Sequence, residues 1–215
     1  MTDVPAGSVL AGSVPAGPAS PTGLSDIQDV AGGDQTLAVG SRLVLAANTA
    51  LQLTFLFTYL YLRANNFGGM WHPSGVTAPP EVLALVALLV PVVALLALWA
   101  VSRALARGAS AVRSLNGLLM LALAFVVLTG AVRILMMYQF GWNLQNGTYI
   151  DVSTVWYGVL LAEFIMVGLW AMSLVMGHIR GTSPITAAQA RAVAEQWAYI
   201  TVLGFAVYAL TEFVT

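Results

Sequence analysis

Five long apolar runs separated by polar loops constrain this chain more than any other feature: Leu43–Leu62, Val82–Ala106, Leu115–Tyr138, Val155–Met176 and Ala192–Val214. Roughly 20 mostly apolar residues are needed to cross the hydrocarbon core of a bilayer. Backbone amides there find no water to bond, so a spanning segment satisfies itself as a helix. The expectation is an all-α integral membrane bundle of five transmembrane helices.

The composition agrees: 59 % of the 215 residues are hydrophobic and 8 % charged, far below the charged fraction of about a quarter in soluble domains. Five spans in this length make one bundle, a single domain over 41–215, with no room for a second folded domain. The net charge of −1 gives no reason to expect nucleic acid as a partner.

All eight basic residues are arginines. Arg42, then Arg103, Arg107 and Arg113, then Arg180 and Arg191 fall on one side of the five spans. Arg63 ends the first run on the other side, and Arg133 lies within the third. The positive-inside rule then puts the N-terminus in the cytoplasm and the C-terminus outside.

Residues 1–40 read as a Gly/Ala/Pro/Ser-rich cytoplasmic tail, with Val-Pro-Ala-Gly at 4–7 and 14–17. The basic start and continuous apolar stretch of a signal peptide are both missing. Such a segment buries too little apolar surface to order itself, so a partner surface is expected to hold it.

The chain has no cysteine, which excludes thiol redox chemistry, iron–sulfur ligation and a cysteine-bound copper pair. Its two histidines fall on opposite sides of the membrane, so they cannot jointly hold a haem. His72 reads as a loop residue beside an aromatic anchor, and His178 as a cation at a helix C-terminus. No catalytic, cofactor-binding or metal site is expected in this chain.

Polar residues inside the spans carry more information, because burying them is costly. Asn48 and Gln52 are four apart and share a helix face; interhelical hydrogen bonding explains them. Arg133 and Glu163 come at similar depth on consecutive antiparallel helices, which makes an ion pair the expectation. Ala46/Ala50 and Ser173/Gly177, at four-residue spacing, would let helices approach closely. Pro91 should kink the second helix. Met136, Met137 and the tryptophans at 99, 142, 156, 170 and 197 read as packing residues and interfacial anchors.

The first run ends Tyr59-Leu60-Tyr61-Leu62-Arg63, and Trp71-His72-Pro73-Ser74-Gly75-Val76 and Pro79-Pro80 follow in the loop. This segment resembles subunit III of the haem–copper oxidases, where a helix ending in Tyr-x-Tyr-Leu-Arg precedes a Trp-Pro-Pro-x-Gly loop. Further landmarks come in order: Trp156-Tyr157 where the family opens its fourth helix with an aromatic–Tyr pair, and Glu195-Gln196-Trp197 where it opens the last. Five spans match the short bacterial form, and the likeness covers about residues 42–214.

The chain departs from that family where the family is polar. Asn48 stands where the first helix usually carries a buried glutamate, and the third helix's terminal Tyr-Glu-aromatic becomes Tyr138-Gln139-Phe140. Glu163 and Met166 occupy two histidine positions, while Ala198 and Thr201 replace a histidine and an aspartate. The resemblance implies a divergent, non-catalytic member in the bacterial cell membrane. It would pack on oxidase subunit I, with subunit II beside it, and hold phospholipid. Haem and copper would reside in those partners, and a larger respiratory supercomplex is compatible.

Two alternatives stay open: a subunit-III-like accessory protein of a nitric oxide reductase, which shares the bundle, and an independent small membrane transporter. Transporters tend to show internal repeats and broken helices, and neither is visible here. No convergent set of nucleophile, base and metal ligands can be assembled for a membrane enzyme.

Overall fold

The structure is a computed structural model that describes residues 22–66, 71, 81–108, 112–139 and 148–213. The described backbone is helical apart from turns: α1 (Thr22–Ala64), α2 (Glu81–Ala106), α3 (Val112–Gln139), α4 (Thr148–Ile179) and α5 (Ala187–Phe213). Each of the five contains a stretch long and apolar enough to cross a bilayer, and the chain is a five-helix membrane bundle. It divides into two units, Met1–Gly33 and Asp34–Thr215; of the first, the described part is the opening of α1.

Within the second unit, α2 packs against α3 and α5, α3 against α4, and α4 against α5. Those four helices close into a ring. α1 lies outside it along α4 and α5, held by polar contacts spaced down its length. Gln196 Nε2 donates to Ser41 O at 3.0 Å. Thr49 Oγ1 donates to Leu45 O, so its 2.8 Å contact with Tyr199 has the phenol as donor. Farther along, Tyr59 OH donates to Leu210 O at 3.2 Å.

Local chemistry sets the helix ends. Thr186 Oγ1 accepts from the Gln189 amide and Gln189 Oε1 from the Thr186 amide, both at 3.1 Å. This reciprocal capping box satisfies amides that the first turn of α5 would leave bare. α4 ends on Gly181 at φ 69°, with Thr182 N donating to Gly177 O and Gly181 N to His178 O. That is the Schellman pattern, and the left-handed backbone it needs favours glycine.

The outward faces are apolar, as lipid requires: Leu43, Phe57, Val82 and Leu96 are each 65 % or more exposed in the isolated chain. The interior is filled by Leu119, Ala122, Leu160, Phe164, Trp197, Ile200 and Val207, none more than 3 % exposed.

Three boundaries differ from the sequence reading. α1 begins at Thr22 rather than near residue 41, so residues 22–40 are helical and do not form an irregular tail. α4 begins at Thr148, which puts Trp156 and Tyr157 two turns inside it, and α5 begins at Ala187, ahead of Glu195. The cause is common to all three. Hydropathy marks the apolar part of a helix, while less apolar turns extend beyond it, at α5 closed by the Thr186–Gln189 capping box.

The small-residue pairs also fall elsewhere than expected. Ala46, Ala50 and Ser173 are exposed, and Gly177 faces Ser183 and Thr182 of its own terminal turn. Close approach occurs instead at Gly168, where a Cβ would stand 3.1 Å from Val126 of α3, and at Gly204. Residues 1–21, His72, the loop positions 73–76 and 79–80, Phe140 and Trp142 lie outside the described residues.

Candidate functional site

The polar face that Asn48 and Gln52 share on α1 meets α4. Gln52 Nε2 donates to Glu163 Oε1 at 2.7 Å, and Trp156 Nε1 donates to Gln52 Oε1 at 2.7 Å. Gln52 is 4 % exposed, Glu163 7 % and Trp156 2 %. Both ends of the Gln52 amide are used: an indole can only donate and a carboxylate oxygen accepts, so one orientation of the amide serves both. Asn48, one turn earlier on α1, also faces the Glu163 carboxyl. Glu163 Oε2 is buried without a hydrogen-bond partner. This junction ties α1 to the ring.

Arg133 and Glu163 do not form the expected ion pair. Among the described residues the ion pair is Arg191–Glu195 at 2.7 Å. Arg133, 4 % exposed, lays its guanidinium over the Phe164 ring, 5.0 Å from the centroid, with Tyr157 within electrostatic reach. Gly204 of α5 leaves the space it occupies, since a Cβ there would stand 2.6 Å from Nη2. Arg133 Nε has no hydrogen-bond partner. The reason the pair fails is angular. Consecutive helical residues point about 100° apart, so Phe164 faces the inside of the ring and Arg133, while Glu163 faces α1.

At the far end of α1, residues remote in sequence converge. Tyr59, fully buried, meets Trp71 edge-on at 5.4 Å and Trp156 at 6.0 Å, and Trp71 meets Tyr149 at 5.7 Å. Tyr149 OH donates to Thr211 O at 3.1 Å. Thr211 Oγ1 donates to Val207 O, so Tyr157, 2.9 Å away, is the donor of that contact. Tyr61, 57 % exposed, and half-buried Arg63 remain outside the cluster. Trp71 Nε1 is buried without a partner.

Trp197 is also in the interior rather than at an interface: it is fully buried, meets Phe164 edge-on at 5.0 Å and donates to Pro91 O at 3.0 Å. Of the positions that depart from the oxidase pattern, Met166 is 66 % exposed, and Thr201 is buried, donating to Trp197 O at 2.7 Å. His178 ends α4, as read from the sequence. Among the described residues there is no group of three or more His, Asp or Glu that could hold a metal ion.

The fold and these contacts define the class, a multi-pass helical membrane protein whose polar side chains join helix to helix. No family model matches the chain, and no curated protein matches it.

Proposed function

We propose that the chain is a non-catalytic subunit III of a bacterial haem–copper terminal oxidase, seated in the cell membrane with its N-terminus in the cytoplasm. It packs on subunit I, with subunit II nearby, stabilises the catalytic subunit and retains phospholipid. Electron transfer from cytochrome c and reduction of oxygen belong to the haem- and copper-bearing partners.

The observation that carries this reading is the aromatic cluster. Four of the residues on which the resemblance rests, Tyr59, Trp71, Trp156 and Tyr157, come from the end of α1, its loop and α4, and gather at one end of the bundle with Tyr149 and Thr211. Their contact with one another supports the reading, since the motif residues act together as one packed unit rather than as separate surface positions. Buried Gln52, Gln196, Tyr59, Tyr149 and Trp197 join one helix to another, which fits a scaffold better than a transport path or an enzyme.

Extraction in mild detergent, affinity capture of this chain and mass spectrometry of what accompanies it form the test. The expected result is a haem–copper catalytic subunit with a copper-bearing partner. Recovery of a nitric oxide reductase would replace the reading with the related accessory role, and recovery of the chain alone in active form would overturn both.

A further inference from the structure

At the arginine-rich end of the second unit, α1, the last turns of α2 and the first turns of α5 enclose a pocket of about 590 Å³. Arg42, Trp99, Arg103 and Arg191 line it, with Asp34 and Glu195. Arg191 is committed to Glu195 at 2.7 Å, and neither Arg42 nor Arg103 makes an ion pair among the described residues. Arg103 is instead held over the Trp99 ring, 5.6 Å from its centroid. Ala187 and Ala188, the first residues of α5, also line the pocket, and the start of a helix favours negative charge.

A second groove, of about 510 Å³, shares Trp99 and Arg103 with the first and continues along α2 past Ala100 to Leu95 and Leu96. Leu96 is 65 % exposed. Pocket and groove therefore share Trp99 and Arg103, and the groove, open and lined only by α2 and the residue that follows it, carries Arg103 and Arg107 at its near end and turns apolar toward Leu95 and Leu96, two turns farther along the helix. Arginine pairs with phosphate oxygens in a bidentate fork, tryptophan prefers the headgroup level, and basic clusters beside a membrane attract anionic lipid.

We propose that this composite cavity is a binding site for one anionic phospholipid, its phosphate between Arg42 and Arg103 and one acyl chain along Leu95, Leu96 and Ala100. The inference rests on the lipid-retaining part of the function proposed above and gives it a place and a charge preference. A free phosphate ion would satisfy the arginines but leave the groove unused.

The test uses the full chain purified in detergent and placed in nanodiscs of phosphatidylcholine with a minor fraction of phosphatidylglycerol. Bound lipid is read by native mass spectrometry. Each arginine near an anionic surface contributes about a factor of five, so Arg42→Gln with Arg103→Gln should lower phosphatidylglycerol retention roughly ten- to thirty-fold. Arg180→Gln, exposed at the same end but outside the pocket, should leave it unchanged. Ala38→Glu adds a carboxylate to the pocket from an exposed position on α1 and should weaken retention without removing a packing contact.

Equal loss in Arg180→Gln would mean a diffuse field and overturn the site. Equal retention of phosphatidylcholine, or full competition by millimolar inorganic phosphate, would overturn the anionic-lipid assignment. Oxidase partners are absent from this measurement, so its failure is distinct from failure of the subunit reading, which the capture experiment decides.

Discussion

The indole of Trp197 on α5 donates a hydrogen bond to the carbonyl of Pro91 in α2, at 3.0 Å. Proline has no N–H, so the bond it removes from the helical ladder is the one to the carbonyl four residues earlier, not one to its own carbonyl. Trp197 therefore adds an interhelical donor to Pro91 O, one turn from that gap, while its ring packs on Phe164 of α4. One side chain thereby links three of the four helices in the ring.

Trp197→Phe should keep the ring contacts and lose the bond, at a cost of about 1 kcal/mol. Trp197→Ala also opens a cavity and should cost about 3–5 kcal/mol. Unfolding of the purified chain in mixed micelles separates the two. Equal losses would mean that the bond, rather than the packing, carries the contribution.

Gln52→Leu should be more damaging than Glu163→Gln. Removing the amide leaves the Trp156 N–H and Glu163 Oε1 buried without partners, each at about 1–3 kcal/mol. The amide of Glu163→Gln still offers an oxygen to Gln52. The same unfolding measurement decides the order, and the reverse ranking would remove Gln52 from the centre of the junction.

Arg133 and Glu163 face different neighbours, so their substitutions should act independently. The loss in Arg133→Met combined with Glu163→Leu should equal the sum of the single losses within about 0.5 kcal/mol. A rescue in the double variant, read as stability or as retention in the complex, would restore the ion pair.

Gly204→Ala should destabilise the bundle, because its methyl group meets the guanidinium of Arg133. Yielding would break the contact with Phe164. With Arg133→Met in place the alanine should be tolerated, a coupling in the range of about 0.5–3 kcal/mol expected of residues in contact. Additivity would show that Arg133 moves away freely.

The isolated chain should contain no haem and no stoichiometric copper. Metal analysis and an absorption spectrum test this, and a Soret band that belongs to this chain would require ligands the sequence reading did not find.

What could be read from the sequence followed from one-dimensional quantities. Apolar length gave the five helices, and the spacing of Asn48 and Gln52 placed both on one face. Depth in the membrane can be counted along a helix, so Arg133 and Glu163 were assigned similar levels. Azimuth could not be assigned, because it depends on which helices are neighbours. The closed ring with α1 outside it turns Glu163 toward α1 and Phe164 toward Arg133. The capped first turn of α5 escaped for a related reason: the Thr186 and Gln189 pair lies outside the apolar run that marks α5. No local signal marked Trp197 as the donor to Pro91 O, since the two are 106 residues apart.

The placement of α1 outside the ring also orders events during synthesis. Gln52 enters the membrane with the first helix, but Trp156 and Glu163, the groups that satisfy it, follow 104 and 111 residues later. At about 5–20 residues per second, that amide waits roughly 5–20 s among lipids or in the insertion machinery. Ser41 and Tyr59 wait longer still, for Gln196 and for the Leu210 carbonyl, 155 and 151 residues on. The helix made first thus keeps polar groups waiting until the fourth and fifth helices arrive.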